Sequence, residues 1–90
     1  YSFSTELRQG DCSLEVYILQ NVLNYIRSSY PGIPAIEQPT GLFDSDTTAA
    51  VKQFQSVFGL SSTGIVNYQT WYFISYIFTA VAKLTNSIYS

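Results

Sequence analysis

The sequence predicts a mainly α fold: a compact three-helix bundle with short extended and turn segments, built on an internal loop-helix repeat. Three observations predict it. Apolar residues recur at helical spacing in three stretches. Two short patterns each occur twice. All three prolines fall in one segment between the first and second helical stretches.

The first helix is read from Val16, Leu19, Gln20, Leu23 and Ile26, which occupy one face of a 3.6-residue period. Ser13 or Asp11 is placed to cap its start, and Pro31 with Gly32 to stop it. Residues 30–43, YPGIPAIEQPTGLF, then form a structured loop, with Tyr30, Ile33, Ile36, Leu42 and Phe43 as apolar anchors. The second helix is expected at about 45–58, through Ala50, Val51, Phe54, Gln55 and Phe58, with Gly59 as a left-handed residue ending it. The third is expected at roughly 68–84. Trp71, Ile74, Phe78 and Val81 make one stripe and Phe73, Ile77, Ala80 and Leu84 a second, which predicts the most buried helix of the three. Residues 1–10 read as an extended lead-in.

The first recurring pattern is V-x-x-[LF]-Q-x-x-[LF], at Val16–Leu23 and again at Val51–Phe58, 35 residues on. The second is T-G-[LI]-[FV]-[DN]-x-x-T, at Thr40–Thr47 and again at Thr63–Thr70, 23 residues on. Such self-similarity marks a supersecondary unit used twice. Thr-Gly makes a tight turn. An apolar pair, Leu42–Phe43 or Ile65–Val66, plugs the core. Asp44 or Asn67 then caps the next helix with its side-chain oxygen. Gln20 and Gln55 lie on apolar faces, where a buried amide is expected to bond loop backbone and lock loop to helix.

The bulk numbers limit what such a chain can do. Ninety residues make one domain, 1–90 with a core of about 7–84. A domain of this size buries roughly 60–65% of its unfolded surface. With 47% hydrophobic and 11% charged residues it has the apolar surface to fold. The net charge of −2, with Arg8, Arg27, Lys52 and Lys83 scattered, argues against a nucleic-acid partner, which requires a basic patch. The most apolar run, Trp71–Leu84, has 14 residues and is short of the about 20 that a spanning helix needs. Cys12 is the single cysteine, so no internal disulfide forms. With no Met at any position, the chain reads as a segment of a longer protein, with any signal peptide lying outside it. A monomer is expected.

No catalytic constellation appears. The absence of His excludes Ser-His-Asp and Cys-His arrangements and His-ligated zinc, and one Cys cannot build a thiolate site. Asp44 and Asp46 lie beside a helix start and read as cap and dipole partner rather than as an acid/base pair. The five glycines are isolated turn residues and form no phosphate loop. No catalytic residue, cofactor or metal is expected. The positive signal is aromatic: eight Tyr, six Phe and one Trp. Tyr17, Tyr25, Tyr68, Tyr72 and Tyr76 fall wholly or partly off the main apolar stripes, where aromatic rings can edge the core, face a neighbouring domain, or stack on sugar rings.

The stretches LRQGDCSLEVYILQNVL, TGLFDSDTTAAVKQFQSVFGL and TGIVNYQTWYFI together resemble the bacterial peptidoglycan-binding domains of the three-helix, repeat-containing type. That family carries G-x-x-G-x-x-V-x-x-L-Q-x-x-L, then D-G-x-F-G-x-x-T-x-x-A-V-x-x-F-Q-x-x-x-G-L, then D-G-x-V-G-x-x-T-W. The resemblance covers about residues 7–82. The loop YPGIPAI resembles versions found in spore-forming Gram-positive bacteria. Two departures stand out. Thr40 and Thr63 replace the family's Asp before each turn glycine, so no carboxylate remains there. Asp44 and Asn67 replace the Gly after the apolar pair and keep a capping side chain. The resemblance implies a non-enzymatic module at the cell wall or outside the cell, in some cases spore-associated, that targets an attached hydrolase or other domain. The glycan or stem peptide of peptidoglycan would lie in a shallow groove near the loops and helix starts. Tyr30, Asp46, Tyr68, Gln69 and Tyr72 are the expected contacts. The competing expectation is a protein docking module that packs against its own adjacent catalytic domain through the tyrosine-rich third helix.

Overall fold

A computed structural model describes residues 6–89, with side chains over 6–83. Helix α1 spans Leu14–Arg27, α2 Ser45–Val57 and α3 Tyr68–Tyr89. No extended sheet joins them among the described residues; two isolated antiparallel bridges, Leu7 with Val66 and Cys12 with Leu42, are the extended pieces. The Cα radius of gyration is 12.4 Å, against about 12 Å for a compact chain of this length.

Each helix starts on a side-chain cap. Ser13, in extended backbone, accepts from the Val16 N–H through Oγ at 3.2 Å. Of the two candidate caps it is therefore Ser13; the Asp11 carboxylate instead accepts from the Arg8 N–H and closes a turn. Asp44 accepts from the Thr47 N–H at 3.0 Å, and Asn67 from the Thr70 N–H at 2.8 Å. These bonds satisfy N–H groups that have no partner within the helix.

The helix ends differ from the sequence expectation in two places. Helix α1 stops at Arg27, ahead of Pro31 and Gly32. The Ser28 hydroxyl donates to the Tyr25 carbonyl at 2.7 Å, and Tyr30, preceding a proline, is disfavoured in helical backbone. Helix α3 continues past residue 84 to Tyr89, since no glycine or proline follows to stop it. Helix α2 ends as expected: Leu60 N–H donates to the Gln55 carbonyl and Gly59 N–H to Ser56, with Gly59 at φ +76°. That is a Schellman ending, which a left-handed glycine makes possible.

The core is built from Val16, Leu19, Leu23 and Ile26 of α1, Ala50, Val51 and Phe54 of α2, and Trp71, Ile74, Ile77 and Val81 of α3. Ile33, Ile36 and Phe43 of the long loop join it, all nearly solvent-free. Asn24 grips that loop with both ends of its amide: Nδ2 donates to the Ile36 carbonyl at 2.8 Å, and Oδ1 accepts from the Ile36 N–H at 2.9 Å. The apolar pairs behave unequally. Phe43 and Val66 are buried, whereas Leu42 is exposed, because neighbouring residues of an extended piece point to opposite sides. The lead-in is also more than polar approach chain. Leu7 is buried and exchanges both backbone hydrogen bonds with Val66, at 3.0 and 2.8 Å. Residues 1–5 of the expected lead-in lie outside the described residues.

Over its described side chains, 68–83, α3 is no more buried than α1 or α2. It meets α1 along Trp71, Ile74 and Phe78, and its other side presents Tyr68, Tyr72 and Tyr76 to solvent. Both stripes are covered in part: Trp71, Ile74 and Val81 of the first and Ile77 of the second are buried, and Phe73 and Phe78 pack half-buried against the core. Of the second stripe, Ala80 is exposed and the Leu84 side chain lies outside the described residues.

Candidate ligand-binding face

Two turn-and-cap units fix where α2 and α3 begin, and α3 carries one side of the candidate face. Gln20 is fully buried on α1. Its Nε2 donates to the Leu42 carbonyl at 2.8 Å and to Thr47 Oγ1 at 2.9 Å, and its Oε1 accepts from the Gly41 N–H at 2.9 Å. Gln55 on α2 does the same for the second turn. Its Nε2 donates to the Ile65 carbonyl at 3.0 Å and Thr70 Oγ1 at 3.1 Å, and its Oε1 accepts from the Gly64 N–H at 3.0 Å. Both amides thus join turn backbone to the first turn of the next helix, as a buried amide must to avoid unsatisfied groups. They are anchors of structure and have no free polar atom to offer a ligand.

The threonines in place of the family's turn aspartates act locally. Thr40 Oγ1 accepts from the Leu42 N–H at 3.2 Å, and Thr63 Oγ1 from the Ile65 N–H at 3.1 Å. A hydroxyl makes the same i to i+2 turn bond that a carboxylate would, without charge. Asp44 has its carboxyl held below the usual carboxylate range, chiefly by the Thr47 N–H that donates to it.

The open surface lies elsewhere, on α3 and α1. Tyr68, Tyr72 and Tyr76 follow at i, i+4 and i+8 and are 72%, 59% and 64% exposed. On α1, Tyr17 and Tyr25, also eight residues apart, are 45% and 37% exposed. Between these two tyrosine rows runs a trench of about 360 Å³, with Ile18 and Val22 on one wall and Trp71, Ile74 and Phe78 on the other. It continues on the α3 side into a shallow hollow of about 540 Å³ through shared Trp71, Ser75 and Thr79. On the α1 side it continues into one of about 530 Å³ through shared Ile18, Val22 and Phe78. Tyr25 stands edge-on to Phe78, ring centroids 5.2 Å apart.

Of the five expected contacts, Tyr68 and Tyr72 lie together on the α3 hollow. The other three line none of these hollows. Gln69 is exposed one residue around the helix. Asp46 is exposed in the first turn of α2. Tyr30 is half-buried, with its ring edge-on to Phe58 at 5.1 Å. The sequence pattern places Trp71 in the core alone, yet this buried ring also walls both the trench and the α3 hollow. Tyr76 and Lys83 are not among the expected contacts and line the hollow all the same. For Tyr76 the signal was present: i, i+4, i+8 spacing from Tyr68 puts it on the same face.

Among the described residues no three His, Cys, Asp or Glu side chains cluster to hold a metal ion. No helix among them is long and apolar enough to cross a membrane. The hollows are open and largely aromatic, and no Asp or Glu lines them.

Residues 13–74 match the model of a family described as "Putative peptidoglycan binding domain". The match runs from the cap of α1 into the first two turns of α3 and covers more than half of the chain, so the chain belongs to that family. No curated protein matches it.

Proposed function

We propose that this chain is a non-catalytic peptidoglycan-binding module that holds an attached hydrolase, or another domain, against the cell wall. The observation that carries the reading is the pair of exposed tyrosine rows flanking an apolar trench, in a chain whose family is one of peptidoglycan binding. Tyrosine offers sugar rings a flat apolar face and a hydroxyl at its rim, with only two side-chain torsions to immobilise. The trench between the rows suits small apolar groups such as N-acetyl methyls. The ligand contacts are then Tyr68 and Tyr72 with Tyr76, Tyr17 and Tyr25, while Tyr30, Asp46 and Gln69 play at most a flanking part. The work is done at the cell wall or outside the cell, and the association with spore-forming Gram-positive bacteria rests on the loop YPGIPAI alone.

The test is co-sedimentation with insoluble peptidoglycan, followed by titration with soluble muropeptides watched by NMR. Retention on the wall, with shifts centred on Tyr72 and Tyr76, is expected. No retention and no shifts at millimolar muropeptide would refute the reading.

A second reading is favoured by the openness of Tyr72 and Tyr76: the same face docks against the chain's own catalytic domain. In that case replacing both tyrosines lowers the solubility of the parent enzyme and leaves wall retention intact.

A further inference from the structure

The tyrosine face of α3 has a charge at one end and none elsewhere. Tyr68, Tyr72 and Tyr76 cover about 12 Å of helix, and Lys83, two turns beyond Tyr76, lies about 10 Å further along the same side. Lys83 lines the α3 hollow and is the one charged residue lining any of the three hollows. It is exposed, and no salt bridge involves it among the described residues.

We infer that Lys83 gives this face a direction: sugar rings stack on the tyrosine end, and Lys83 takes a free carboxylate of the stem peptide. The inference rests on the peptidoglycan-binding reading above and adds which part of the polymer goes where. Peptidoglycan is a chain of N-acetylated sugars from which short peptides bearing free carboxylates branch, so an aromatic strip ending in a cation matches it in both respects. Charge complementarity selects this occupant over a second copy of the chain. Helix α3 holds no Asp or Glu from Tyr68 to Tyr89, so a copy stacked through the same face brings Lys83 no opposite charge from that helix. Lys also suits the role better than a buried cation would. Its ammonium remains hydrated and reaches a carboxylate of variable position on a flexible stem.

The experiment compares three soluble probes on the full chain by NMR titration: a neutral N-acetylglucosamine oligomer, a muropeptide with free stem carboxylates, and the same muropeptide with those carboxylates amidated. The free-carboxylate muropeptide should bind roughly two- to fivefold more tightly than the amidated one, the range of an exposed charge pair. Lys83→Gln should abolish that difference and leave the affinity for the neutral oligomer unchanged. Added salt should weaken only the free-carboxylate probe. Equal affinity for free and amidated muropeptides, or a difference that survives Lys83→Gln, overturns the inference. So does concentration-dependent dimerisation that Tyr76→Ala abolishes. Sedimentation with insoluble wall separates the two levels. If the native chain is retained but shows no carboxylate preference, only the Lys83 assignment falls; if it is not retained, the peptidoglycan-binding reading falls with it.

Discussion

Gln20 and Thr47, 27 residues apart in sequence, share a hydrogen bond of 2.9 Å in the protein interior. Gln55 and Thr70 form its counterpart at 3.1 Å. In each case the glutamine also holds a turn glycine's N–H and the next residue's carbonyl. A single side chain thus fixes where a turn sits and where the following helix begins.

Gln20→Leu keeps most of the volume and removes all three bonds, leaving the Gly41 N–H and the Leu42 carbonyl without the amide and the Thr47 hydroxyl with only its bond to Asp44. Urea unfolding should show a loss of roughly 2–4 kcal/mol, since each buried group left unmatched costs about 1–3 kcal/mol. A double-mutant cycle with Thr47→Val should give a coupling of at least about 0.5 kcal/mol. Additive losses would mean that the bond between the two side chains contributes little.

Glycine substitutions should divide by place. Gly64 is buried at φ +76°, and a Cβ there would meet Thr48 Cγ2 at 2.9 Å and Lys52 Cε at 3.1 Å. Gly64→Ala combines left-handed strain with a clash and should lower stability by about 1–3 kcal/mol. Gly32 has ordinary backbone, and a Cβ added there would meet nothing within 4 Å. Gly32→Ala should raise stability by about 0.4–1 kcal/mol by restricting the unfolded chain. Thermal melts of the two variants check both signs.

Asp44 should make the fold acid-sensitive. Its carboxyl is held below the ordinary value of 3.8 by the Thr47 N–H and hydroxyl that it accepts from. A lowered folded-state pKa means that the charged cap contributes its stability above the unfolded value and loses it as pH falls through the folded one. Stability should therefore decline from just above pH 4 downward. Asp44→Asn, which copies the Asn67 cap of α3, should flatten this part of the profile while keeping α2 capped. An unchanged acid limb in denaturation curves run from pH 7 to pH 2 would remove Asp44 as its source.

Tyr72→Ala and Tyr76→Ala should affect binding and spare the fold. Both rings are largely solvent-exposed, so each change should alter stability by no more than about 0.5 kcal/mol. Loss of a stacking contact of about 0.5–1.5 kcal/mol should weaken wall or muropeptide binding roughly two- to tenfold per residue. Tyr30→Ala should do the opposite: its ring packs on Phe58, so it should destabilise the fold with little direct effect on binding. Paired melts and sedimentation assays distinguish the two classes.

Much of the site's support could be read from residues alone, and the reason is locality. Caps at Ser13, Asp44 and Asn67 and the ending at Gly59 involve partners within a few residues. The glutamines were legible as anchors because an amide on an apolar face must find partners, and the turns supplied them. Asn24 gave no comparable signal. It looks like an ordinary polar helix residue, and only the folded loop brings Ile36 to it. Tyr30 and Tyr72 also look alike in sequence, and the fold alone sends one ring against Phe58 and the other to solvent.

The sequence by itself determined three helices, the turns between them, their caps and a surplus of tyrosine beyond what the core requires. Each follows from periodicity or from the conformational preferences of neighbouring residues. Tertiary structure decided which side of α3 is covered. That helix is apolar around much of its circumference, so its two sequence stripes do not by themselves say which side stays open. Packing against α1 buried Trp71, Ile74 and Ile77 and opened the trench between Ile18 and Phe78. It also left Tyr68, Tyr72 and Tyr76 in a row with Lys83 at its end. The candidate face, made of two helices, exists only once they meet, because its geometry depends on distances between residues far apart in the chain.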